Sequence, residues 1–151
     1  MPRAKRKVYE GGWYHVMNRG AAHRYIFVSD ELKEMFIEVL VYVAEHYKFE
    51  IHSFVIMGNH YHILIHLKEA NLSKGMALLN SRFAREYNRR RLKDGPIFKD
   101  RFRSIHITTP AYLKTVIRYI HNNPVEAALV QFPEDYYWSS YYDYVCENRR
   151  F

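Results

Sequence analysis

The chain has a single cysteine, Cys146, in 151 residues, so no internal disulfide framework of the kind that staples small secreted domains can form. Glycine, with 6 residues, and proline, with 5, both fall below their usual shares of about 7% and 5%, which excludes collagen-like and low-complexity sequence. No apolar run approaches the ~18 residues of a membrane helix. The basic start, Met1-Pro2-Arg3-Ala4-Lys5-Arg6-Lys7, has the charge of a signal peptide but no apolar segment behind it. Acidic residues are in deficit, 16 against 23 Lys and Arg, leaving a net charge of +7. Hydrophobic residues at 48% and charged residues at 26% match a soluble globular chain and exclude disorder. The expectation is one cytoplasmic domain over 1–151, with a basic arm at 1–10 and an aromatic tail at 131–151. What the chain has in excess is tyrosine, 14 residues, and histidine, 9. The positive charge favours a polyanionic partner without identifying it, and its placement says more than its amount.

Hydrophobic periodicity divides the chain into seven elements. Trp13 to Met17 reads as a first strand after the Gly11-Gly12 break, ending at Asn18-Arg19-Gly20. Ser29-Asp30 is a helix start signal, followed by Met35, Phe36, Val39, Leu40 and Val43 at helical spacing to about Tyr47. Glu50 to Met57 and His60 to Leu67 read as two strands around the Gly58-Asn59 turn. A long helix spans Leu72 to Arg91, with Leu72, Met76, Leu79, Phe83 and Tyr87 on one stripe and Arg82, Arg85 and Arg89 on another. Ile97 to Ile107 reads as a further strand. Thr109 caps a last helix with Pro110 at its first position, running to Asn122 or Asn123, where Pro124 forces a kink or restart. The order β-α-β-β-α-β-α implies an α+β fold: a ferredoxin-like, split βαβ antiparallel sheet of four or five strands, with helices mainly on one face.

Two constellations carry chemistry. Alternation along a strand puts His60 and His62 on the same side and turns Tyr61, Ile63, Ile65 and Leu67 into the core. The two imidazoles are then close enough to share a metal ion, although histidine pairs on strands are commonly only surface residues. His66 shares their face, but Leu64 stands between, so His66 is left out of the site. On the last helix Tyr119 and Asn123 are i and i+4 and so neighbours on one face. Their bland alternatives are an anchoring aromatic and a helix C-cap.

These residues resemble a family. Tyr14-His15-Val16 with Arg19-Gly20, Met57-Gly58-Asn59-His60-Tyr61-His62-Ile63-Leu64, Tyr119-Ile120-His121-Asn122-Asn123-Pro124-Val125-Glu126-Ala127-Ala128-Leu129-Val130 and Trp138-Ser139-Ser140-Tyr141 together resemble the single-tyrosine HUH transposases, with the greatest likeness to the REP-associated tyrosine transposases. The resemblance implies an HUH-endonuclease fold, His60 and His62 as metal ligands, Asn123 as a third ligand where many relatives carry Gln, and Tyr119 as the nucleophile. It also implies single-stranded or hairpin DNA as partner and cleavage at hairpin-forming palindromes. Mobile relatives form dimers and the REP-associated branch need not, which leaves homodimer and monomer both open. Tyr119 has Thr115 and Asn123 at ±4, which fits the single-tyrosine class. Tyr137 and Tyr141 read as tail packing around Trp138.

The residues suit that chemistry. A phenol ionises near pH ~10, so a tyrosine nucleophile needs its oxygen polarised and its target phosphodiester neutralised. A divalent cation on the phosphate oxygens does the second. Two imidazoles and an amide are neutral ligands and leave the ion its full charge. Imidazole alone favours Mn²⁺ or Zn²⁺, the family implies Mg²⁺ or Mn²⁺, and phosphate oxygens supply the hard ligands that favour Mg²⁺ or Mn²⁺. For DNA, strand alternation places Lys99, Arg101 and Arg103 on one face of the 97–107 strand with the phenylalanines behind. Arg82 and Arg85 form a second stripe, Arg3, Lys5, Arg6 and Lys7 a flexible arm, and Arg19 joins them. Two other readings stay open: a DNA-hairpin-binding protein of the same fold without turnover, and a zinc hydrolase built on His60, His62 and His66.

Overall fold

A computed structural model of the chain describes residues 5–145, the side chains of Tyr142 and Val145 apart. Arg3 and Cys146 lie outside the described residues. Four antiparallel strands form one sheet in the order β2-β3-β1-β4: β1 (Trp13–Arg19), β2 (Phe49–Ile56), β3 (His60–Leu67) and β4 (Arg103–Ile107). Three long helices connect or follow them: α1 (Asp30–Tyr47), α2 (Leu72–Arg91) and α3 (Pro110–Glu126). This is the split βαβ order expected from the periodicity, an α+β fold with a ferredoxin-like sheet.

Each helix starts and stops for local reasons. Ser29 accepts from the Leu32 amide at 3.2 Å, and α1 ends at Lys48 in a left-handed conformation. The Thr109 hydroxyl caps α3 through the Tyr112 amide at 3.2 Å, with Pro110 in the first turn, where its missing N–H costs nothing. α3 continues through Pro124 to Glu126 instead of breaking there. Pro124 removes only the bond to the Ile120 carbonyl, one turn from the end, and the Ala127 amide closes the last turn on Asn123 at 3.0 Å.

The sheet has two apolar faces. On one, Tyr14, Val16, Tyr61, Ile63 and Ile65 bury against α1 and α2, whose stripe Leu72, Met76, Leu79, Phe83 and Tyr87 is buried as periodicity predicts. On the other, Val55, Met57, Leu64 and Ile107 pack against Val116 and Ile120 of α3. Two of the three long helices therefore share one face, and α3 lies alone on the face that carries His60 and His62.

The stretch expected as one strand over 97–107 is not one strand. Only Arg103–Ile107 pairs with β1, while Phe98 makes an isolated bridge to Gly20 and the chain bends at 99–101. An uninterrupted strand would carry Asp100 into the apolar layer together with Phe98 and Phe102, both of which are buried. The bend lets both rings bury and leaves Asp100 at the surface, its main-chain oxygen accepting from the Asn18 amide at 3.1 Å. The basic arm is also less free than expected. Arg6 lies 3.7 Å over the Phe102 ring and donates to its carbonyl, and Val8 packs on the core.

The tail covers the open edge of β2. Ser139 bridges Val55, the Ile56 amide donates to the Trp138 carbonyl at 2.8 Å, and Ser140 holds both main-chain groups of Phe54. That covers an edge that would otherwise be open to pairing. Tyr137 packs on Trp138 and Tyr141 on His121. Among the described residues no helix is long and apolar enough to cross a membrane.

Candidate active site

The site forms where the start of β3, β1 and the second half of α3 meet. The Gly58-Asn59 turn is fixed by two backbone bonds, Phe27 amide to Gly58 carbonyl at 2.9 Å and Gly20 amide to Asn59 carbonyl at 2.8 Å. Gly20 is required there, since a Cβ would fall 2.3 Å from the Arg24 carbonyl oxygen. This lock sets His60 at the first position of β3, and alternation sets His62 beside it, with ring centroids 5.2 Å apart. On α3 the buried pair Val116 and Ile120 seats the helix, and Tyr119 and Asn123 project along the flank of that stripe.

The polar contacts have a definite sense. His60 Nδ1 donates to Asn59 Oδ1 at 2.6 Å, because an amide oxygen can only accept. A neutral His60 then presents a lone pair at Nε2, and Nε2 faces Asn123 Oδ1 at 3.4 Å. Two acceptors held face to face lack a proton between them. Two ligands each about 2.0–2.2 Å from one ion lie roughly 3–3.4 Å apart at right-angled to tetrahedral geometry, so the donor set fits a shared cation. His62 Nδ1 lies 2.9 Å from His15 Nε2, and both rings are buried at 6% and 5% exposure. Tyr119 is 54% exposed and stands edge-on to both, 5.3 Å from the His62 ring and 5.9 Å from that of His15.

Burial keeps these imidazoles neutral. Desolvation lowers His15 to about 4; desolvation, helped by its neighbours His15 and His60, lowers His62 to about 3. His60 is lowered by burial against an opposing contribution from Asn123. Near neutral pH all three are neutral, and with His15 accepting from His62 Nδ1, His60 and His62 each keep a lone pair at Nε2 for a metal.

Four of the cations expected to hold DNA converge on the same place. A cleft of about 520 Å³ is lined by His60, His62, Arg19, Lys99, Arg101 and Arg103. The bend at 99–101, and not strand alternation, brings Lys99 and Arg101 there. Lys5 and Arg6 line an adjoining groove of about 930 Å³ beside α2, which shares Asp100 and Arg101 with the cleft, and Lys7 is exposed. Arg82 and Arg85 are exposed on α2, the helix that covers the opposite face; Arg82 stacks on Tyr42 at 4.5 Å.

His15 was missed as a site residue. Only its place inside the Tyr14-His15-Val16 motif marked it, since its partner His62 is far off in sequence. His66 does not join His60 and His62: four strand residues carry it roughly 13 Å along β3. It meets Glu50 and His52 instead, the three offering one ligand atom each within 4.8 Å of one another.

A His-x-His strand and a helix-borne tyrosine meeting on one face of a ferredoxin-like sheet define the single-tyrosine HUH class. Residues 8–123 match the family described as Transposase IS200 like, and the chain belongs to it. A Haemophilus influenzae protein described as a REP-associated tyrosine transposase is 28% identical over 127 residues, covering 77% of this chain and 72% of that one. A solved structure described as a REP-associated tyrosine transposase bound to a REP hairpin shares the fold at TM-score 0.80 and 20% identity, over 95% of this chain and 84% of its own. A Deinococcus radiodurans structure described as a transposase matches at TM-score 0.53 and 16% identity, over 81% and 97%.

Proposed function

We propose that this chain is a divalent-metal-dependent endonuclease and strand transferase acting on single-stranded DNA at hairpin-forming palindromes, through a 5′-phosphotyrosine intermediate. The carrying observation is the pair of acceptors His60 Nε2 and Asn123 Oδ1 held 3.4 Å apart beside the edge-on Tyr119 ring. The hairpin substrate is supported by the likeness to a relative whose structure holds a REP hairpin.

His60, His62 and Asn123 would hold the cation, Mg²⁺ or Mn²⁺, which when bound neutralises phosphate charge and polarises the phosphorus. Asn59 fixes the His60 tautomer by taking its Nδ1 proton bond, and His15 can do the same for His62. Arg19, Lys99, Arg101 and Arg103 bind the flanking phosphates in the cleft, and Lys5, Arg6 and Lys7 extend that path. Arg82 and Arg85 serve only a strand long enough to reach the second face. Tyr119 Oη attacks phosphorus, the Oη–P bond forms, and the P–O3′ bond breaks. The phenol proton passes to solvent and the departing 3′ oxygen takes one up. The ester retains the bond energy, so the 3′ hydroxyl of a second strand can reverse the step without ATP.

A reading without turnover, hairpin binding alone, makes a different prediction for one variant. Tyr119→Phe should abolish covalent adducts on a labelled hairpin oligonucleotide while leaving its binding within about twofold, because phenylalanine keeps the ring that packs on His62 and His15 and loses only the hydroxyl. Adducts formed by that variant would remove Tyr119 from the mechanism. A wild-type chain that binds hairpins with Mg²⁺ or Mn²⁺ present and never forms adducts would favour the binding-only reading.

A further inference from the structure

We propose that Glu50, His52 and His66 form a second metal site, of the zinc type, at the far end of the sheet face that carries His60 and His62. Their geometry carries this. His66 Nε2 lies 3.1 Å from the Gly11 carbonyl oxygen, which can only accept, so Nε2 carries the proton. That leaves Nδ1 as the His66 atom able to serve as a ligand, and it faces Glu50 Oε2 3.3 Å away. His52 Nε2 stands 3.4 Å from the same oxygen. One carboxylate oxygen thus faces two imidazole nitrogens, and one ligand atom from each residue lies within 4.8 Å of the others. Two imidazoles and a carboxylate make a donor set used for zinc with open positions. A carbonyl holding the remote N–H of a ligating histidine is the usual outer support of such a site.

The surroundings look built for this arrangement. A bulge between Ile51 and Ser53 makes His52 an extra residue in the β2–β3 ladder. After it Ser53, Val55 and Met57 turn under α3, while before it Glu50 and His52 share the face of His66. Trp13 stacks on His66 and leans on His52, both at 4.4 Å between centroids, so both rings are held in place before any ion arrives. Gly11, with φ +75, provides the turn that points its carbonyl at His66. Lys68 sits 3.7 Å from the other Glu50 oxygen and must compete with a cation there. Its side chain is 60% exposed and free to swing out. A bound ion would tie β2 to β3 and, through Gly11 and Trp13, both to the start of β1. The proposal is independent of the chemistry assigned to Tyr119.

The test is calorimetric titration of the full chain with Zn²⁺ in three forms: wild type, Glu50→Gln with His52→Gln, and His60→Ala with His62→Ala. Glu50 and His52 are partly exposed, and circular dichroism checks that each form is folded. Zinc should bind the His60/His62 variant and raise its thermal midpoint. The Glu50/His52 variant should lose one equivalent, or bind it weaker on the order of tenfold or more. Equal stoichiometry and affinity in the Glu50/His52 variant would overturn the site. So would a His60/His62 variant that takes up no zinc, the result expected if Glu50 and His66 are only an imidazolium–carboxylate pair.

Discussion

His15 offers the sharpest test of the reading around His62. Its Nε2 lies 2.9 Å from His62 Nδ1 in a buried pair, so one ring must donate and the other accept. If His62 donates, its Nε2 keeps the lone pair that a metal needs, and His15 is the residue that enforces this. Replacing His15 by leucine fills the space and removes the acceptor. His62 then either buries an unsatisfied N–H, at about 1–3 kcal/mol, or moves its proton to Nε2 and blocks the metal position. In the second case binding must return the proton to Nδ1, and the cost of that unsatisfied N–H is then taken from the affinity. At ~1.4 kcal/mol per decade that cost corresponds to about 5- to 150-fold in affinity, which brackets the roughly 10- to 100-fold known for outer-shell partners. The assay is Mn²⁺ titration of His15→Leu in a Glu50→Gln background, so that the His60/His62 site is read alone. His15→Gln places an amide oxygen near the former Nε2 and should recover most of the lost affinity. Thermal midpoints separate the effect from plain destabilisation, since both variants lose the imidazole packing and only one loses the acceptor. Unchanged Mn²⁺ affinity in His15→Leu would refute the reasoning, as would equal losses in the leucine and glutamine forms.

Lys99→Ala and Arg101→Ala should each flatten the salt dependence of single-strand binding by about 0.7 in the slope of log affinity against log salt, one phosphate contact apiece. Arg82→Ala with Arg85→Ala should leave that slope unchanged for an oligonucleotide short enough to occupy only the cleft; equal flattening by both sets would place the path elsewhere. Stability should also fall on mild acidification. The folded pKa values of His15, His62 and His121 are lowered by burial to about 4, 3 and 4, so below the unfolded value of about 6.5 the unfolded chain binds protons that the native chain refuses. The stabilisation is complete above that value and is lost as pH falls toward 4, at about 1.4 kcal/mol per unit for each histidine. Urea unfolding at pH 7.5 and 5.5 should therefore differ by on the order of 3–4 kcal/mol, with His121→Gln removing about a third of the difference. Equal free energies at the two pH values would show that these rings are not buried neutral.

Much of the fold was legible because it is written in local periods. The α2 stripe from Leu72 to Tyr87, the Ser29 and Thr109 caps and the hairpin around Gly58-Asn59 each depend on residues within one turn or one pleat. His60 with His62, and Tyr119 with Asn123, are likewise pairs at fixed short spacing, so each half of the site could be read alone. The strand expected over 97–107 is broken for a reason present in its own residues. Alternation that buries Phe98 and Phe102 also buries Asp100, and the chain resolves the conflict by bending.

What could not be read is what depends on register. β1 pairs with β3 so that Met17 lies opposite His62 and His15 opposite Leu64. His15 is thus a diagonal neighbour of His62 on the same face, near enough for two imidazoles to meet. A slip of one residue would turn His15 into the opposite layer and bring Tyr14 and Val16 out onto the face of His62. No spacing within either strand encodes that choice; it is set where the Gly20 amide meets the Asn59 carbonyl and by which side chains fit under α1. The same holds for Glu50, His52 and His66, assembled by the β2–β3 ladder and a bulge. Residues that supply lone pairs could be recognised from the sequence, whereas the residues that decide where those lone pairs point became visible only once the strands were paired.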